Sequence, residues 1–198
     1  MPSHPVPRAQ PVDLARFKLA RVEPAEGAVR VGVIAARFNA DVVDALLEGA
    51  LRTLAEHDVR GDDVVLARVA GAWELPQVAQ AMADTGEIDA IVALGCVIRG
   101  ETSHYDVIVN ESARALMNVS MKAGIAVANG VLAVENIEQA IARCGGELGN
   151  KGSEAALAAI ETAGLIRSLL PEHFDLGDEL DGLLGDIPNN DLPRGASR

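Results

Sequence analysis

The stretch that decides the fold runs Ile88-Asp89-Ala90-Ile91-Val92-Ala93-Leu94-Gly95-Cys96-Val97-Ile98-Arg99-Gly100-Glu101-Thr102-Ser103-His104-Tyr105. Its first part, Ile88 to Ile98, is a near-continuous apolar run. A run of this kind reads as a strand buried on both faces, as in a parallel sheet. It passes through a glycine turn into a polar segment that opens a helix at His104. Backbone N–H groups at a helix start attract anions, and a histidine moves protons near neutral pH. The segment therefore combines the parts of an anion site with those of a proton-transfer site.

Outward from this strand the chain alternates. Val29–Ala36 and Val64–Ala70 read as two earlier strands and Ile125–Leu132 as a later one. Between them, Asp41–His57 carries Val43, Leu46, Leu47, Ala50 and Leu54 at the spacing of one helix face. Leu75–Ala83 reads as a helix with Pro76 in its first turn. His104–Lys122, Glu135–Cys144 and Ser153–Leu170 complete the set. Strands alternating with helices predict an α/β fold whose parallel sheet is covered on both faces. Ligands then sit beyond the carboxyl ends of the strands. The segments expected to converge there are Arg37-Phe38-Asn39, Gly71 to Glu74, Arg99 to His104, and Asn129-Gly130.

Composition narrows the functional classes. The chain has 198 residues and a net charge of −12, which argues against a nucleic-acid groove or an anionic membrane surface. Only 3% of residues are aromatic, so the core must be built from Ala, Val, Leu and Ile. Cys96 and Cys144 lack metal-ligand spacing and form no disulfide framework, in keeping with a reducing, cytoplasmic setting. The first residues hold no apolar signal core. Residues 1–28 contain five of the nine prolines and are expected to form a flexible arm. Residues 171–198, with seven acids against two arginines, are expected to form an acidic, disordered tail. The interval 29–170 is the single expected domain.

Several motifs fail on inspection. Gly146 to Gly152 resembles a phosphate loop, but Lys151 does not follow a glycine and the segment follows a helix. No G-x-G-x-x-G follows the first strand, and no serine sits in a nucleophile elbow. The four histidines are scattered, so no metal site is expected.

Six segments, in order, resemble the 6,7-dimethyl-8-ribityllumazine synthase family of riboflavin biosynthesis. They are Arg37-Phe38-Asn39, Gly71 to Pro76, Gly95 to Tyr105, Asn129 to Leu132, Glu135 to Ala140, and Gly149 to Gly152. The resemblance spans Val29 to Leu170. It implies a flavodoxin-like three-layer α/β/α sandwich on a four-stranded parallel sheet. It also implies condensation of 5-amino-6-(D-ribitylamino)uracil with 3,4-dihydroxy-2-butanone 4-phosphate, without cofactor or metal. The implied assembly is a homopentamer with sites between subunits; in some members pentamers build icosahedral, sixty-subunit shells. Association with riboflavin synthase follows from the same resemblance; nucleic acid and membrane do not.

Residue by residue, a structural reading stands beside each implied role. Phe38, taken alone, reads as a core plug; the resemblance makes it the aromatic that stacks on the pyrimidine. Ala72, Trp73 and Glu74 read as a turn and helix start; the resemblance sets them along the ribityl chain. Cys96, Val97 and Ile98 read as strand core; the resemblance has their backbone hold the pyrimidine edge. Glu101 and Thr102 take the phosphate-contact positions, through backbone N–H groups. His104 reads as a helix-start histidine; the resemblance makes it the acid/base residue. Arg143 suits a helix C-terminus; the resemblance sends it to the phosphate held by a neighbouring subunit, which its forked guanidinium suits. Lys151 and Glu154 match further charged positions of the site and read otherwise as a local ion pair. Asn129 departs from the aromatic that many relatives carry against the ring.

The competing reading is a non-catalytic flavin-binding or shell-forming protein on the same fold. The intact set His104, Arg143, Lys151 and Glu154 favours the enzyme. A flavodoxin-like signalling domain needs an acidic cluster after the first strand, where this chain has Arg37-Phe38-Asn39.

Overall fold

The computed structural model describes residues 29–170; the expected arm and tail lie outside the described residues. Four parallel strands form one sheet: β1 (Val31–Ala36), β2 (Val64–Val69), β3 (Ala90–Ile98) and β4 (Ala126–Val134), in the order β2-β1-β3-β4. β1 and the first seven residues of β3 are buried, as central strands covered on both faces require. The helices are α1 (Ala40–Glu56), α2 (Leu75–Asp84), α3 (His104–Ala123), α4 (Ile137–Arg143) and α5 (Lys151–Ser168). This is the α/β sandwich expected from the alternation.

Strand alternation divides the core in two. Val31, Val33, Ala35, Val92, Leu94 and Cys96 point to one face and pack with Val43, Leu46 and Leu54 of α1 and Ala156 and Ala159 of α5. Ile34, Ala36, Ile91 and Ala93 point to the other, against Leu75 and Ala79 of α2 and Leu116 and Val119 of α3. The buried hydrophobic side chains on both faces are aliphatic or sulfur-containing, and no aromatic residue is among them. On the first face α1 and α5 approach closely at Gly152, where a Cβ would collide with the Leu46 backbone carbonyl.

Element ends differ from expectation for local reasons. α5 starts at Lys151 rather than Ser153, because the Asn150 side chain caps it, accepting from Gly152 N at 2.8 Å and Ser153 N at 3.1 Å. α4 starts at Ile137 because the Asn136 side chain accepts from Gln139 N. Between them lies a small antiparallel ribbon absent from the sequence reading, β5 (Cys144–Gly146) with β6 (Gly149–Asn150). Asn150 Nδ2 ties this ribbon to α1 by donating to the Ala45 carbonyl at 2.8 Å.

One expectation is corrected. Asn129-Gly130 lies not at the rim with the strand-end segments but inside the strand, where the reading of Ile125–Leu132 also puts it, and β4 pairs Asn129 with Ala93. The nine-residue β3 offers a full ladder, and its pairing overrides the turn tendency of Asn-Gly. The exposed Asn129 is tolerated because β4 is an edge strand; its Oδ1 accepts from Val131 N at 3.0 Å.

Candidate functional site

Three connections meet beyond the carboxyl ends of β1, β2 and β3 and enclose a cavity of about 560 Å³. Its lining includes Phe38, Asn39, Ala72, Trp73, Glu74, Cys96, Val97, Ile98 and His104. The size falls within the usual range for small-molecule pockets. Parallel register explains the convergence: β1 is hydrogen-bonded to both β2 and β3, so their ends lie side by side.

Phe38 is not a core plug. It is 68% exposed, and Trp73 is 47% exposed. The β1–β2 ladder continues through Arg37 N to the Val69 carbonyl and Phe38 N to the Ala70 carbonyl, which holds Phe38 against the next connection. Its ring lies over Gly71, where a Cβ would sit 2.7 Å from Cδ2. Among the described residues, Phe, Trp and Tyr occur only at positions 38, 73 and 105. Phe38 and Trp73 line the cavity, and Tyr105 follows His104. The core uses none of them, and two of the three line one cavity. Among the described residues Phe38 and Trp73 both follow strands in the sequence, but that placement acquires meaning once the strand ends are seen to converge.

The floor of the cavity is fixed by backbone and short polar links. Asn39 adopts a left-handed conformation (φ 56°, ψ 47°) before α1, and its Nδ2 donates to the Cys96 carbonyl at 2.8 Å. This bond ties the end of β1 to the end of β3 across 57 residues and was not anticipated from sequence. Glu74 Oε2 accepts from Gly71 N at 2.9 Å, leaving its other oxygen available. The Cys96 side chain turns away into the aliphatic core, and burial raises its thiol pKa from 9.0 to about 11, with Cys144 adding to the shift. It is a neutral packing group near pH 7, not a thiolate nucleophile.

His104 is the first residue of α3, exposed and facing the cavity lining of Ile98 and Val107. The loop before it carries Glu101 and Thr102, both exposed and outside the cavity wall. Ser103 makes no side-chain cap, so the first amides of α3 lack that partner.

The remaining predicted residues lie elsewhere. Asn129, Arg143, Lys151 and Glu154 line a second cavity of about 480 Å³ along the open edge of β4. The two cavities share no lining residue. In the second, Lys151 Nζ donates to Glu154 Oε1 and Oε2 at 2.8 and 2.7 Å, and Arg143 Nη1 donates to the Gln139 carbonyl at 3.0 Å. One chain thus carries a cavity lined by Phe38, Trp73 and His104 and a second, charged cavity on different parts of its surface. Among the described residues no group of three or more His, Cys, Asp or Glu side chains is arranged to hold a metal ion. No helix of these residues is long and apolar enough to cross a membrane. The family model for 6,7-dimethyl-8-ribityllumazine synthase matches residues 28–167.

Proposed function

The chain belongs to the 6,7-dimethyl-8-ribityllumazine synthase family, and on that premise we propose that it condenses 5-amino-6-(D-ribitylamino)uracil with 3,4-dihydroxy-2-butanone 4-phosphate, as a transferase of riboflavin biosynthesis in the cytoplasm. The observation that carries this reading is the convergence of Phe38, Trp73, Glu74, the Cys96–Ile98 backbone and His104 on one cavity. Phe38 offers an exposed ring face to a flat heterocycle, a contact worth about 1–3 kcal/mol per base. The edge of the pyrimidine meets the backbone of Cys96, Val97 and Ile98. Glu74 accepts from ribityl hydroxyls beside Ala72 and Trp73.

The nucleophile in this reading is the substrate's own 5-amino group, so the chain needs no serine, cysteine or lysine nucleophile. The amine attacks the ketone and the carbinolamine loses water to give an imine. A proton leaves the neighbouring carbon as the C–O bond to phosphate breaks, releasing inorganic phosphate and an enol. The enol tautomerises to a ketone, the ribitylamino nitrogen attacks it to close the ring, and the cyclic carbinolamine loses a second water. His104 carries protons in these steps, help of a kind worth typically ~10²–10⁴-fold. Holding two substrates together lowers the entropic barrier further.

The phosphate falls to the loop of Glu101 and Thr102, through its amides, and to Arg143. Because Arg143, Lys151, Glu154 and Asn129 line a separate cavity, this reading has a second copy bring them to the first. A homopentamer supplies such pairs around a closed ring; the tight ribbon between Cys144 and Asn150 is compatible with further assembly into a shell. Mixing purified protein with both substrates should generate the lumazine chromophore and stoichiometric phosphate. Tight riboflavin binding with no lumazine formed would replace this reading with a non-catalytic flavin binder.

A further inference from the structure

Arg99 directly follows β3, between its last residue and the Gly100–Ser103 loop. Its backbone N–H donates to the Val134 carbonyl at 2.9 Å, extending the β3–β4 ladder by one bond. Its guanidinium then reaches three ways. Nη1 and Nη2 donate to Asp106 Oδ2 and Oδ1 at 3.2 and 3.0 Å, a two-point grip. Nε donates to Glu135, at 3.1 Å from Oε1. The cation also lies 4.0 Å from the centre of the Tyr105 ring.

These bonds span the loop Gly100–Ser103. Arg99 precedes it, Asp106 follows it in the first turn of α3, and Glu135 follows β4 on the neighbouring strand. The loop itself is exposed throughout, Gly100 has open space around it, and no side chain of Ser103 caps α3. Little within the loop therefore sets its shape. A second consequence is electrostatic. Glu101, Asp106 and Glu135 put three carboxylates around this loop in a chain of net charge −12. An anion approaching it would be repelled unless some are neutralised, and Arg99 bonds two of the three.

We infer that Arg99 is a positioning residue for the phosphate-bearing substrate: it latches the ends of the Gly100–Ser103 loop together and offsets one of the two negative charges of Asp106 and Glu135 beside it. This rests on the assignment of that loop to phosphate. If Arg99 merely joined β3, β4 and α3, its loss would weaken the fold and affect both substrates alike.

The test compares Arg99→Ala and Arg99→Lys with the unaltered chain. Lysine keeps a charge but loses the two-point grip. For Arg99→Ala, the KM for the phosphate substrate and the Kd for inorganic phosphate by calorimetry should both rise about three- to tenfold, the scale of exposed charged pairs acting as a network. The KM for the pyrimidine should stay within about twofold, with Arg99→Lys falling between. Equal rises in both KM values, or unchanged phosphate affinity in Arg99→Ala, would overturn the latch. If the alanine variant fails to fold, Arg99→Lys carries the same comparison. Calorimetry separates the two claims. An unaltered chain that makes no lumazine, yet binds phosphate more tightly than Arg99→Ala, keeps the latch and removes the reaction. Lumazine formation whose phosphate kinetics ignore Arg99→Ala does the reverse.

Discussion

The two cavities differ in how they hold their functional groups. The first presents exposed rings and backbone on three strand ends, with the side chains of Glu74 and His104 beside them and the Cys96 thiol turned into the core. The second presents charges, and each is held by a neighbour on its own helix: Lys151 by Glu154, Arg143 by the Gln139 carbonyl. Such local bonds are weak at a surface, so these cations can be redirected to a better anion. In the proposed reaction the first cavity would take the flat heterocycle and the second would supply cations to the anion. On that proposal neither cavity alone holds every group that joining a heterocycle to a phosphate ester requires.

The strongest way to break this division is to inactivate each half separately. His104→Ala should lower turnover ~10²–10⁴-fold with the pyrimidine KM nearly unchanged. Arg143→Ala should act on the phosphate substrate instead, raising its KM. If the halves meet only between copies, co-assembling the two impaired variants in equal amounts, assayed with the phosphate substrate well below the raised KM, should restore intact sites in about a quarter of positions, since each half is wild-type half the time. Steady-state assay of co-refolded mixtures measures this. Activity no greater than the mean of the separate variants would show that both halves act within one chain.

A smaller effect sharpens the first half alone. Phe38→Ala should weaken pyrimidine binding by about 1–3 kcal/mol, with the phosphate KM unaltered. Fluorescence titration with a pyrimidine analogue measures it. A pyrimidine affinity equal to that of the unaltered chain would return Phe38 to a bystander role and leave Trp73 as the ring that matters.

The contrast also explains what was legible in sequence. β1 and β3 are buried on both faces, so they appear as unbroken apolar runs, and the parallel sheet follows from them. His104 and the strand-end motifs are local signals and could be read directly. β5 and β6 could not, because strands of three and two residues carry no period. Asn129-Gly130 is expected at the rim although the apolar run around it reads as a strand, and the β3 ladder keeps it inside that strand. The bond from Asn39 to the Cys96 carbonyl and the reach of Arg99 to Glu135 join residues 57 and 36 apart. No spacing rule encodes them. The partition of the charged residues from the aromatic ones is likewise a fact of where strands end, and β4 ends later than its sequence suggests.

Cys96 is where the two regions come closest to sharing a residue. Its carbonyl belongs to the first cavity, through Asn39, while its thiol faces the core that Cys144 borders just after Arg143. Burial first, and Cys144 second, raise that thiol to about 11 from 9.0. The folded chain therefore keeps a proton that the unfolded chain loses earlier. The stability this contributes is fully present below about pH 9 and is lost progressively as pH rises toward about 11. Urea unfolding midpoints across this window should fall more steeply for the unaltered chain than for Cys96→Ala, because titrations common to both cancel in the difference. Parallel profiles would mean that the thiol is hydrated in the folded state. The layer beneath the first cavity would then be open to water, and the backbone edge assigned to the pyrimidine would rest on a softer floor than the aliphatic packing implies.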